Sequence, residues 1–233
     1  MHYFTLLLGP EATEEPDAET QAAIMAAYTE FHASAGAAIK AGDALAGSAA
    51  TVRITGGPDH PVVTDGPFAE GAEVAGGYYV FEADDLDDAL GIARRIPACQ
   101  EGAVEVWPMV GWESPTERIG SDWFALLLEP ADQPCTPGTE EWESGECRHA
   151  EFGRNAGEHI LGGAPLHPPS TATTVRVRDG QLLLTDGPYA EGAEVASGFY
   201  LLRATDRDEA VKIASMIPAT TVHLHRLVGV SDL

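Results

Sequence analysis

The feature that most constrains this chain is an internal repeat. Residues 64–79 read TDGPFAEGAEVAGGYY and residues 185–200 read TDGPYAEGAEVASGFY, an offset of 121 with three differences in sixteen positions. The match extends outwards. AATVRI at 49–54 answers TATTVRV at 171–177, Glu30-Phe31 answers Glu151-Phe152, and Ile96-Pro97 answers Ile217-Pro218. A match of this extent at one fixed offset is implausible by chance. We therefore read a tandem duplication, with a first module at 1–112, a polar linker at 113–121 and a second module at 122–233.

Each half yields the same elements in the same order. Phe4–Leu8 and Phe124–Leu128 are apolar runs of strand length. Amphipathic helices follow, with Tyr28, Phe31, Ala35 and Ile39 on one stripe and His149, Phe152, Ala156 and Ile160 on the other. Gly42 and Gly162-Gly163 are read as helix stops. The segment 131–146, rich in Pro, Gly and Glu, is read as a loop replacing part of the second module's first helix. TVRI and TVRVR then begin hairpins that lead to the Asp-Gly-Pro loops. GYYVFEA and GFYLLRA read as strands, DLDDALGIARRI and DRDEAVKIASMI as helices with acidic first turns, and AVEVWPM and TVHLHRL as closing strands. The fold class is α+β: two ferredoxin-like modules, β-α-β-β-α-β with an extra hairpin strand.

Composition excludes several function classes. The net charge is −24, with 18 acidic and 4 basic side chains in residues 1–112 and 19 and 9 in the remainder. Such a chain repels phosphate backbones, and it has no Lys/Arg run, so no nucleic-acid partner is expected. No apolar run reaches the ~20 residues of a membrane helix, so no membrane partner is expected either. MHYFTLLLGP lacks a basic n-region and reads as a strand rather than a signal peptide. The odd cysteines Cys99, Cys135 and Cys147 match no zinc spacing or disulfide framework and fit a reducing compartment, and with no signal peptide or membrane run a cytoplasmic location is expected. No phosphate-cradling loop or nucleophile elbow is present, so no organic cofactor and no metal is implied.

The quoted segments resemble the YCII-related family, in its branch marked by an Asp-Gly-Pro-Phe motif. In the first half the resemblance rests on TDGPFAEGAEVAGGYYVFEADDLDDALGIARRIPA and VEVWPM. In the second it rests on PPSTATTVRVRDGQLLLTDGPYAEGAE, SGFYLLRA and DRDEAVKIASMIPA. The resemblance implies a dimeric α+β barrel, here built within one chain as a pseudo-dimer. One molecule then supplies both sheets and the barrel is monomeric, with higher assembly of whole barrels left open. The chain departs from that branch where Glu-Thr-Lys-Glu usually follows the motif: Glu70-Gly71-Ala72-Glu73 and Glu191-Gly192-Ala193-Glu194 both lack the lysine. Trp107 and His225 stand where the last strand usually carries arginine. The His–Asp pair of shorter relatives is not carried over, because neither His32 nor His149 falls in register.

Candidate site residues follow from chemistry and from divergence between the copies. Asp65 and Asp186 end strands beside tight turns, where a carboxylate serves as general base or merely shapes the turn. His223 and His225 share one face of a strand, with Glu105 and Trp107 at the equivalent places. His149 answers Tyr28 on the inward helix stripe; both are proton-active side chains. Arg53 and Arg176 are read as equivalent, either binding an anionic oxygen or pairing with Glu73 or Glu194. His159 and His167 are read as surface residues. The expected catalytic set is Asp186, His149, His225, Asp65 and Tyr28, with Arg176, Arg53, His223 and Trp107 binding substrate. The expected function is a cofactor-independent enzyme acting on a small organic molecule by proton transfer, of isomerase, lyase or cyclase type; the alternative is a non-catalytic binding or regulatory module. In the enzyme reading Asp186 matters more than Asp65, and His149 or His225 titrates at roughly pH 6–7.5.

Overall fold

The computed structural model describes residues 1–11, 16–68, 73–112, 115, 120, 122–133, 135–188 and 194–230. The first half runs β1 (His2–Gly9), α1 (Ala18–Ala35), β2 (Ile39–Ala44), β3 (Val52–Thr55), β4 (Val62–Asp65), β5 (Val74–Glu82), α2 (Leu86–Ala93), α3 (Ala98–Glu101) and β6 (Ala103–Pro108). The second runs β7 (Trp123–Pro130), α4 (Glu140–Ala156), β8 (Ile160–Pro165), β9 (Thr173–Arg178), β10 (Gln181–Asp186), β11 (Glu194–Leu202), α5 (Arg207–Ala214) and β12 (Thr221–Arg226). Asp85 and Asp206 cap α2 and α5 by accepting from the N–H groups of Asp88 and Glu209. Most of the linker 113–121, Tyr189, and the Glu-Gly-Ala segments 70–72 and 191–193 lie outside the described residues.

The twelve strands form two antiparallel sheets, in the orders β10-β9-β6-β1-β5-β2 and β4-β3-β12-β7-β11-β8. Each sheet contains strands from both halves. The β3–β4 hairpin of the first half pairs with β12, and the β9–β10 hairpin of the second pairs with β6. The halves thus exchange hairpins, whereas the sequence reading left each hairpin on its own module.

Two apolar faces on each sheet explain the layering. Along β1, Tyr3 and Leu7 turn to the helices while Phe4 and Leu6 turn to the other sheet, so this central strand is apolar on both sides. Phe31 and Ala35 of α1 and Ala89, Leu90 and Ala93 of α2 cover the outer face of the first sheet. Phe152 and Ala156 of α4 and Ala210, Ile213 and Ala214 of α5 cover that of the second. Between the sheets lies one shared core, in which Phe4, Tyr78, Phe124 and Phe199 stack with centroids 4.7–6.4 Å apart. Bridges Leu45–Leu227 and Met109–Leu166 tie the sheets together at both sides.

Two elements differ from expectation. Ile39 and Ile160, read as the ends of helical stripes, instead open the edge strands β2 and β8. Helix α4 begins at Glu140, capped by Thr139, within the segment read as a loop. Among the described residues, no helix is long and apolar enough to cross a membrane.

Candidate functional site

On β12 the alternation Thr-Val-His-Leu-His-Arg decides what faces where. Val222 and Leu224 enter the core beneath α4 and α5, while Thr221, His223 and His225 turn to the opposite face. There the exchanged hairpin meets them. Thr51, which follows a 3-10 turn at Ser48–Ala50, places its hydroxyl 3.2 Å from His225 Nδ1. Arg53 lies opposite His223 in the β3–β12 register. Its guanidinium donates to Glu194 at 2.8 Å, and the other oxygen of that carboxylate accepts from Thr221 Oγ1 at 2.6 Å. Phe68 of the first Asp-Gly-Pro-Phe loop stacks on His223 at 5.7 Å, and the two imidazoles stand 6.3 Å apart.

The Nε2 atoms of both His223 and His225 are buried and have no hydrogen-bond partner among the described residues. Buried polar atoms are nearly always satisfied, and leaving one bare costs about 1–3 kcal/mol. Burial holds His225 down at about 3, with the charge of His223 adding to the effect. His223 is depressed to about 4 by burial and by Arg53, against the opposing pull of Glu194. Both rings are therefore neutral at pH 7, each with one donor and one acceptor nitrogen. The expectation that His225 titrates near neutrality is corrected by this burial. His149 is corrected likewise: burial, then Arg148, lowers it to about 4.

The same place on the first sheet is satisfied internally. Glu105 and Trp107 replace the imidazoles, and the Trp107 indole, fully buried in the shared core, donates to Glu105 at 3.1 Å. Arg176 grips Glu73 through two 2.8 Å bonds and also donates to the Gly102 carbonyl. Both arginines therefore pair with a glutamate from the other half. They are not equivalent in register, however: Arg53 lies opposite Thr64 and Arg176 opposite Leu183, which sets them two residues apart relative to Asp65 and Asp186. A two-residue offset preserves the face, so both reach inward.

The exchange also sorts the aspartates. Asp65 shares a sheet with His223 and His225 and forms an ion pair with Arg207 of α5. Asp186 is exposed at the end of β10, on the sheet that carries Glu105 and Trp107. His149 and Tyr28 lie on the helix-covered faces, away from the imidazole pair. His149 Nδ1 is 3.0 Å from the Tyr200 hydroxyl. Tyr28 packs against the core under α1, where burial, then Cys99, pushes it up to about 12.

Several participants were not anticipated. His32 Nε2 lies 2.7 Å from the Tyr79 hydroxyl, so each half carries a Tyr–His pair at matching tyrosines, with the histidine one helical turn apart. The signal was present in the repeat, where Tyr79 and Tyr200 are identical. Thr51 and Phe68 were invisible as site residues because the hairpin exchange brings them to the histidines, and it brings Arg53 to Glu194 in the same way. Among the described residues, no three His, Cys, Asp or Glu side chains gather into a metal-ligand set.

Fold and site together define an α+β protein of two facing antiparallel sheets, with polar side chains buried on their inner faces. The chain belongs to the YCII-related domain family, whose domain matches residues 1–113 and 145–232. It is 41% identical over 51 residues to Uncharacterized protein R00369 of Rhizobium meliloti (strain 1021), an overlap of 22% of this chain. The chain spans about two fifths of that relative, 41% of its length. Among solved structures it is similar to the crystal structure of Putative Chlorite dismutase TA0507, with TM-score 0.46 and 8% identity over 99% of this chain and 96% of that one.

Proposed function

We propose that this chain binds a small organic molecule against His223 and His225 and transfers protons on it without an organic cofactor, as an isomerase, lyase or cyclase would. One observation carries the reading: two neighbouring buried imidazoles each present a bare Nε2 beside a charged Arg53–Glu194 pair. A ligand group that accepts or donates at those nitrogens removes the cost of leaving them unmet. Glu194 pulls towards an imidazolium on His223, but burial and Arg53 outweigh it, so the resting ring is neutral and takes a proton only from an acidic group of a bound ligand. In the same reading the two sheets close into a pseudo-dimeric barrel, supported by the bridges at both sides, and the chain is a tandem duplication of the Asp-Gly-Pro-Phe branch. The barrel is complete in one molecule, so the chain is monomeric at that level.

A second reading, a binding protein without catalysis, is favoured by the low basicity of both rings, which makes them weak bases at neutral pH. Deuterium exchange separates the two. Small-molecule libraries are screened by the ring-proton signals of His223 and His225, and hits are incubated with the protein in D2O. Protein-dependent deuterium incorporation, abolished in His225→Gln, is the expected result. Hits that bind at the histidines without exchange select the binding reading, and a library that never moves either histidine overturns both.

A further inference from the structure

We propose that a separate cleft on the helix side of the second sheet binds a small carboxylate that also carries an amine or a hydroxyl. The cleft measures about 420 Å³ and is lined by Ala49, Thr51, Asp65, Trp123, Arg207 and Arg226, among others. That volume suits a small metabolite. Trp123 and Arg226 are register partners across β7 and β12, with side chains turned away from the imidazoles. The Arg226 guanidinium lies 5.0 Å over the Trp123 ring. Arg207 is the first residue of α5 and reaches Asp65 on the exchanged hairpin.

Three features point to this ligand chemistry. First, a chain with only 13 Lys and Arg against 37 acidic residues places two arginines on one cleft, where guanidinium forks match a carboxylate. Second, the Arg207–Asp65 pair is exposed, at 45% and 72%, so its partners exchange readily for ligand groups. A carboxylate that takes Arg207 releases Asp65 to accept from an ammonium or hydroxyl on the same molecule. Third, the Trp123 indole N–H is buried without a partner among the described residues, a donor awaiting an acceptor. Among the described residues the first sheet does not repeat this set of side chains. Pairing registers and helix starts put Leu86, Pro108 and Tyr3 where the second has Arg207, Arg226 and Trp123. One cleft per chain is expected.

The test uses four matched probes: phenylalanine, 3-phenyllactate, 3-phenylpropionate and phenethylamine. The readout is the Trp123 indole N–H in 1H–15N spectra of the full chain, assigned with Trp123→Phe. A saturable shift with phenylalanine or phenyllactate, at least tenfold weaker with the other two, is the expected result. Arg207→Gln should weaken it tenfold or more while Arg207→Lys retains part. Asp65→Asn should reduce phenylalanine to the level of phenylpropionate. Binding should persist in a His223→Gln, His225→Gln double variant, which keeps the outcome independent of the imidazole reading. No saturable shift from any probe, or an unchanged one in Arg207→Gln, overturns the proposal.

Discussion

Gly42 and Gly163 show how one missing side chain decides the placement of a neighbour. Each lies on an edge strand opposite a tyrosine, Gly42 facing Tyr79 and Gly163 facing Tyr200. A Cβ at Gly42 would come 2.2 Å from the Tyr79 ring, and one at Gly163 would come 2.5 Å from the Phe199 carbonyl and 2.7 Å from the Tyr200 ring. The bare strand lets each ring lie across it and hand its hydroxyl to a helix histidine. Gly42→Ala and Gly163→Ala should each cost roughly 1–3 kcal/mol in urea unfolding, by overpacking. Gly163→Ala should be the worse, because a backbone carbonyl cannot swing aside. The buried histidines set a second expectation at this scale. His149, His223 and His225 all have folded-state values below the ordinary 6.5, so the unfolded chain binds more protons. Their contribution to stability is complete above pH 6.5 and declines as pH falls towards about 4. With one pKa unit worth about 1.4 kcal/mol, a loss on the order of 2 kcal/mol or more should appear between pH 6.5 and 4.5. Urea midpoints measured across that window, with a shallower slope in His149→Gln, check it. The residues themselves were legible in the sequence: His223 and His225 were read on one face because strand alternation is local. Their protonation was not, because burial depends on what packs over them.

At the scale of elements, the hairpins are held by charge as well as by strand pairing. Arg176 and Glu73 are 17% and 12% exposed and meet through two parallel bonds; Arg53 and Glu194 are 26% and 22% exposed and meet through one. Arg178 adds bonds to the carbonyls of Cys99, Gln100 and Gly102 around α3. A double-mutant cycle on Arg176→Ala and Glu73→Ala should give a coupling of roughly 1–3 kcal/mol, larger than the cycle on Arg53 and Glu194. Equal couplings would show that geometry and burial do not matter here. The pairing of Arg with Glu was one of the two roles read from the sequence. The strands β2 and β8 were missed, since IKAGDA and ILGGAP alternate poorly and follow a helical stripe without a break. The exchange was not legible either. A hairpin carries the same local pattern whichever sheet it joins, and its destination is fixed only by long-range registry.

For the whole molecule, the shared core and the traded hairpins make each half incomplete. Residues 1–112 expressed alone would expose Phe4, Leu6, Tyr78, Val80 and Trp107 to water and leave the β3–β4 hairpin without β12. That fragment should aggregate or pair with a second copy of itself. Co-expressed with 122–233, it should co-purify as a one-to-one complex with the circular-dichroism spectrum of the intact chain. A stable, monomeric 1–112 would show that the hairpin can fold back onto its own sheet. The repeat was plain, because identity at a fixed offset is a sequence property. The mutual dependence of the modules was not, because nothing in either half marks where its hairpin lodges. That dependence has a genetic side. Arg176 and Glu73 stand 103 residues apart along the chain, yet either one is an allele judged by the other. A charge reversal at Glu73, in the front half of the gene, should therefore be suppressed by a matching reversal at Arg176 in the back half, and a crossover that separates the two should undo the suppression.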